Sequence, residues 1–328
     1  MKKGSLLLGV AAITALAGCG KTGIKVNPDK QKYVVGIAQF VPHVALDAAT
    51  NGFKSKLAAL LTAEGREVEF VQTDAAGDAA NCPTIISTLV SKDVDLILAN
   101  ATPCLSAAYT ATSYIPILGT SVTDFGVACK IEIEGGKTKT NVSGTSDLAP
   151  LDGQVNAMKE LCPDATKFGI LYSASEANSK FQVDEVKKYL EAAGKTVSTY
   201  PISGSDTLTS VCNTAAARED VIYIPTDNFC ADNTASINQV FEGAGKPVFA
   251  GESGICKGCG FATLSIDYTR LGEITGEMAF NVLLGKKDIR EYEIQYDTNV
   301  KKLYVPSRCT ALGINVPEDA GYEVLPLE

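Results

Sequence analysis

Histidine is almost missing from this chain: His43 is the only one in 328 residues, against ten cysteines. A structural zinc site needs about four nitrogen or sulfur ligands. The one CxxC motif, Cys256-Lys257-Gly258-Cys259, has no second CxxC to complete it, so no metal site is expected. The motif reads as part of a glycine-rich turn rather than as the start of a helix, which favours structural pairing over redox chemistry. A Ser–His–Asp triad is equally hard to assemble around one histidine, and His43 itself reads as a helix-start residue. Neither GxGxxG after the first predicted strand, nor GxxxxGK, nor GxSxG occurs. Their absence removes the dinucleotide, P-loop and hydrolase signatures, and no cofactor or enzymatic activity is expected. Positive charge is in deficit too: 29 Lys and Arg stand against 38 Asp and Glu, for a net charge of −9, with the signs mixed along the chain. Nucleic acid is therefore not an expected partner. Past the N-terminal segment, no apolar run approaches the ~18 residues that suggest a membrane helix.

What the chain does have begins at its N-terminus. Lys2 and Lys3 precede a short apolar stretch, Leu6–Leu16, and then Leu16-Ala17-Gly18-Cys19. The stretch is too short to span a bilayer and has the shape of a signal segment. The sequence LAGC resembles a bacterial lipobox, in which Cys19 becomes the lipidated N-terminus; the plainer alternative is an ordinary signal peptide with a chance cysteine. Residues 1–19 are thus expected to be a lipoprotein signal and residues 20–32 a flexible tether. The mature protein is expected outside the cytoplasm, lipid-anchored to the outer face of a bacterial membrane. Export agrees with the cysteine content. Setting Cys19 aside leaves Cys82, Cys104, Cys129, Cys162, Cys212, Cys230, Cys256, Cys259 and Cys309, an odd number that leaves a thiol over unless it pairs between molecules.

The length suits two domains of ~150 residues each. Two stretches organise them, Val94–Cys104 (VDLILANATPC) and Asp220–Cys230 (DVIYIPTDNFC). Each opens as a short continuous apolar run, the pattern of a buried parallel strand, and breaks into small polar residues at its C-terminal end. In open α/β sheets ligands bind just beyond such ends. Strands and helices alternate from Tyr33 to about Ile266, which predicts parallel sheets covered on both faces. The exception is residues 126–145, which read as a hairpin-like excursion. The two halves can be superimposed in pattern: Cys82 to Cys104 spans a helix, a strand and a loop, and Cys212 to Cys230 spans the same elements. One disulfide in each half, Cys82–Cys104 and Cys212–Cys230, is expected on that basis.

Together the lipobox, the repeated α/β pattern and the loops make the chain similar to the substrate-binding lipoproteins of bacterial ABC importers. It most resembles the family whose members bind aromatic amino acids such as tryptophan and tyrosine. The carrying segments are Val35–Phe53, Val94–Pro103, Pro116–Asp124, Ile170–Asn178, Ile222–Asn228 and Ile266–Met278. Val44, where the family usually has proline, is a departure, as is the number of cysteines. The resemblance implies an α/β fold of the type I periplasmic-binding-protein kind, with two Rossmann-like lobes joined by a three-crossover hinge. Lobe 1 would comprise residues 33–147 and 268–290, and lobe 2 residues 148–267 and 291–328. It also implies a small-molecule ligand, with an ABC permease and its ATPase as partners. A sensory receptor of the same fold that binds without delivering is the rival reading.

Candidate ligand residues follow from strand ends and from the resemblance. Ser175, Asn178 and Ser179 lie between a strand and a helix, where hydroxyls and helix N-terminal amides suit a carboxylate; plain capping is the alternative. Thr226 and Asp227 follow a buried strand, and Asp227 reads equally as an ammonium partner or as an Asx-turn residue. Thr102, Ser121 and Thr123 would face them from the other lobe. Gln39 and Phe40 follow the first strand, with Phe40 stacking on an aromatic ligand or simply capping the core. Asp267 falls at a crossover, as hinge anchor or ammonium partner.

Overall fold

The computed structural model describes residues 23–327. Cys19 and the signal segment lie outside these. Lobe 1 is built from β1 (Lys32–Gln39), α1 (Val44–Ala63), β2 (Glu67–Asp74), α2 (Cys82–Ser91), β3 (Leu96–Asn100), α3 (Thr102–Ala111), β4 (Ile117–Val122), α4 (Phe125–Cys129) and β5 (Val142–Ser146). The chain then crosses to lobe 2 and forms α5 (Leu151–Leu161), β6 (Lys167–Ser173), α6 (Ala177–Ala192), β7 (Thr196–Ile202), α7 (Ser205–Arg218) and β8 (Val221–Ile224). Next come α8 (Asn228–Asp232), α9 (Thr234–Gly243), β9 (Val248–Ala250), α10 (Ser253–Cys259) and β10 (Ala262–Ser265). A second crossing returns α11 (Tyr268–Leu283) and β11 (Gln295–Tyr296) to lobe 1. A third takes β12 (Lys301–Tyr304), α12 (Pro306–Leu312) and β13 (Tyr322–Val324) back to lobe 2.

The sheets are ordered β11-β5-β4-β3-β1-β2 and β13-β12-β10-β9-β8-β6-β7. Every strand pair is parallel except β10 with β12. The apolar runs singled out in the sequence are the fully buried strands β3 and β8. Helix α11 joins α1 on one face of the first sheet, over Val35, Ile37, Leu96, Leu98 and Leu118. The two helices approach closely because small residues line their seam. A Cβ on Gly272 would lie 2.0 Å from the Ala49 carbonyl oxygen, and one on Gly52 would lie 2.2 Å from that of Thr269. All three crossings meet in one apolar cluster, where Ala149, Ile266 and Val300 pack with Ala45, Tyr268 and Leu271.

Several expectations need correction. The stretch read as an excursion contains strand β5, and its sequence VSGTS gives no apolar signal because its hydroxyls are satisfied internally. Thr145 Oγ1 bonds Thr120 and Thr275, and Ser143 Oγ donates to the Tyr292 carbonyl. The third crossing follows β11, which pairs with β5, rather than falling at residue 290. The described part of the expected tether is held to lobe 1. The Lys25 amide donates to the Tyr114 carbonyl, and Lys30 Nζ lies 2.6 Å from the Asp95 carboxylate. The CxxC belongs to α10, not to a turn: Glu252 caps that helix by accepting from the Gly254 and Ile255 amides. No disulfide joins any of the nine described cysteines, Cys82, Cys104, Cys212 and Cys230 included. Cys82 and Cys104 nevertheless face each other with Sγ atoms 3.7 Å apart. Cys212 and Cys230 share one core cluster with Cys256 and Cys259.

Candidate functional site

The ends of the parallel strands build the site. Ser121 is next to last in β4 and Asp147 follows β5; across from them, Asn178 lies in the first turn of α6 beyond β6, Thr226 and Asp227 follow β8, and Glu252 follows β9. With His43 and Tyr268 these residues line a cavity between the lobes of about 10 Å³, room for about one water-sized group. Beside it runs a wider groove of about 470 Å³, walled by Pro83, Thr102, Pro103, Ala107 and Ala111 of lobe 1 and by Ser175, Glu176 and Asn178 of lobe 2. Asn178 borders both spaces. The lobes touch directly: His43 Nε2 lies 3.3 Å from Asn228 Oδ1, and Gln182 Nε2 donates to Thr123 Oγ1 at 3.3 Å. Thr123 and Thr226 hydroxyls meet at 3.5 Å.

Three of the described residues lining the inner cavity are acidic, Asp147, Asp227 and Glu252, and none is Lys or Arg. Asp227 is fully engaged: its Oδ1 accepts from the Cys230 amide at 2.8 Å and its Oδ2 from the Ser173 amide at 2.7 Å. Both oxygens of Glu252 accept backbone amides at the start of α10. Asp147 differs, because its carboxylate is held by two side-chain hydroxyls, Thr123 at 3.1 Å and Tyr268 at 3.0 Å. Burial pushes Asp147 up to about 6 and Glu252 up to about 7. Glu176 is also raised to about 7, by burial first and then by the nearby Asp227 charge. Burial lowers the pKa of His43, which favours its neutral form.

The structure sorts the sequence candidates into groups. Ser121, Asn178, Thr226 and Asp227 converge on the inner cavity, and Thr102 and Ser175 on the groove. Thr123 sits between them in the inter-lobe network. Ser179 is buried behind Asn178, accepting from its Nδ2. Gln39 instead ties β1 to α1, donating to Asp47 and accepting from Thr50. Phe40 packs in the lobe 1 core, the capping alternative for that residue. Asp267 is exposed and caps α11 by accepting from the Arg270 amide. Where a ligand carboxylate was expected near Ser175–Ser179, the protein places its own: Glu176 accepts from the Asn228 and Phe229 amides and from Asn178 Nδ2. Asp147, Glu252, Tyr268 and the ring of His43 escaped the sequence reading. Each is one polar residue at an element boundary; Glu252, two positions past the apolar β9, had a local signal, whereas Asp147 follows the hydroxyl-rich β5, and His43 and Tyr268 stand three or four positions past their strands.

The comparisons agree with one another. A family model of ABC transporter substrate binding proteins matches residues 34–322. A relative named tyrosine-binding protein, from Clostridioides difficile (strain R20291), is 35% identical over 292 residues, covering 86% of this chain and 83% of its own. The crystal structure of an ABC domain in complex with L-Trp from Streptococcus pneumoniae is 31% identical, with 88% of this chain and 99% of that one covered and a TM-score of 0.82. The ligand-free, open structure of a substrate binding protein with adhesive properties from Clostridium difficile is 32% identical, covers 89% and 98%, and superposes with a TM-score of 0.67. The lower overlap with an open form accords with the direct contacts between lobes in this chain.

Proposed function

We propose, from the premise that this chain belongs to the family of ABC transporter substrate binding proteins, that it captures an aromatic amino acid between its lobes and delivers it to an ABC permease. The family is one of substrate binding proteins, and the chain has the type I periplasmic-binding-protein fold. The observation that carries the ligand reading is the pairing of a small acidic cavity with a wider groove walled by proline and alanine. The groove falls in the ~300–1,000 Å³ range of ligand sites and offers flat apolar walls to a ring. The polar head would face the cavity, and the lobes would part by their hinge to admit it. That one relative is named for tyrosine and another was solved with L-Trp supports the same reading.

Isothermal titration calorimetry with L-tyrosine, L-tryptophan and L-phenylalanine, beside leucine and glucose, tests it. Heat with an aromatic amino acid is expected; tight sugar binding with no amino-acid response overturns it. The same proposal includes export and lipid anchoring at Cys19, supported by the LAGC sequence. Cys19→Ser should release the protein from the membrane fraction, and unchanged membrane association would refute the anchor.

A further inference from the structure

We propose that the inner cavity is an ammonium pocket, in which Asp147 supplies the counter-charge and Ser121, Asn178 and His43 supply acceptors. The inference rests on the amino-acid reading above and assigns the ligand's amine to particular atoms. Three observations carry it.

The first is size. A space of about 10 Å³ suits a single water-sized group and not a ring or a carboxylate with its substituents.

The second is a set of buried atoms left without partners. Ser121 Oγ, Asn178 Oδ1 and His43 Nδ1 make no hydrogen bond, and all three residues line this cavity. Ser121 and Asn178 are 5% and 4% exposed, so bulk water does not satisfy them. Their orientations are set by neighbours. The Asn178 amide nitrogen is committed to Glu176, Ser179 and the Thr226 carbonyl, which turns its oxygen to the unpaired side. The Asn228 amide nitrogen donates to Glu176, so its oxygen meets His43 Nε2. The ring must therefore donate from Nε2, and Nδ1 is left as a bare acceptor. Ser121 is held at φ +54°, in the left-handed region that a serine seldom adopts. Strain of this kind collects at binding sites. An –NH₃⁺ group has three donors and no acceptor, the complement of this set.

The third is charge. The described lining has no cation, and of its three carboxylates Asp227 and Glu252 are already compensated by fixed backbone amides. Asp147 is held chiefly by two rotatable hydroxyls, with its own backbone amide contributing least, so it gains most from an incoming positive charge.

The test uses L-tyrosine, L-tryptophan and L-phenylalanine, each beside its deaminated acid, titrated into wild type, Asp147→Asn and Ser121→Ala. Wild type should prefer the amino acid over the deaminated acid by ~100-fold or more. Asp147→Asn should weaken the amino acid by ~30-fold or more, and Ser121→Ala by roughly 5–10-fold, while binding of the deaminated acid changes little. Equal losses for both ligand types would mark a structural role and overturn the proposal. So would amino-acid affinity unchanged in both variants. If wild type binds none of the three amino acids, the amino-acid reading itself falls, and the ammonium pocket with it. Thermal melts show which variants fold, and Ser121→Ala decides alone if Asp147→Asn does not.

Discussion

The Tyr268 hydroxyl donates to Asp147 Oδ2 across 3.0 Å, joining the first crossing between lobes to the second. Both side chains are buried, and both line the cavity. The hinge and the candidate site therefore share a hydrogen bond. Tyr268→Phe keeps the ring in its cluster with Ala149 and Leu271 and removes only this donor. It should lower stability by ~1–3 kcal/mol in urea unfolding. A change below about 0.5 kcal/mol would show that the bond holds nothing.

Stability should fall as pH rises from about 4 to 8. Asp147 moves from 3.8 to about 6, and Glu176 and Glu252 from 4.5 to about 7, all chiefly through burial. The folded state therefore keeps protons in this window that the unfolded chain releases, and each group reduces stability by about 3 kcal/mol once the pH exceeds its folded pKa. His43 works the other way, since its lowered pKa removes stability as pH drops through its usual range. Three acids outweigh one imidazole, so the melting temperature should be higher at pH 5 than at pH 8. Asp147→Asn should flatten part of that slope. A profile rising through neutrality would contradict the burial of these groups.

Cys82 and Cys104 should form a disulfide on treatment with a disulfide donor such as oxidised glutathione, releasing two equivalents of the reduced thiol. Their sulfurs are already 3.7 Å apart at the starts of α2 and α3. A loop of this size adds about 3 kcal/mol. Non-reducing peptide mapping should find this link, and it will also show which of Cys212, Cys230, Cys256 and Cys259 pair within their shared cluster. Cys82 recovered free after oxidation would refute the prediction.

Asp227→Asn should act on folding before it acts on ligand. Both carboxylate oxygens accept backbone amides, so an amide nitrogen placed there would confront an N–H group. A stability loss of ~1–3 kcal/mol is expected by chemical denaturation. Full stability with weakened amino-acid binding would restore Asp227 as an ammonium partner.

Gly272→Ala should cost at least ~1–3 kcal/mol, because its Cβ would overlap the Ala49 carbonyl oxygen at 2.0 Å. A melting temperature within error of wild type would mean that α1 and α11 separate freely.

Much of this architecture was legible because continuous apolar runs such as Leu96–Asn100 and Val221–Ile224 occur where both faces of a sheet are covered. Ser121, Thr226 and Asn178 were legible for a related reason: small polar residues stop such strands where a ligand can approach. β5 was not, since Ser143, Thr145 and Ser146 are buried through hydrogen bonds that only the tertiary structure supplies. Asp147 and Tyr268 were hidden for the same reason. Their pairing spans 121 positions, and no local pattern announces it.

Helix α11 completes lobe 1 from the far end of the polypeptide, over the face that carries Leu96, Leu98 and Leu118. A nascent chain ending at residue 147 would hold the five contiguous strands of that sheet with α1 alone on the face that α11 later shares. The central strands of lobe 2, β6 to β10, all emerge before α11 does. Lobe 1, synthesised first, thus waits for α11 while most of lobe 2 is made, and truncation between Ser265 and Leu283 should leave an aggregation-prone sheet beside a neighbour that lacks only β12, α12 and β13.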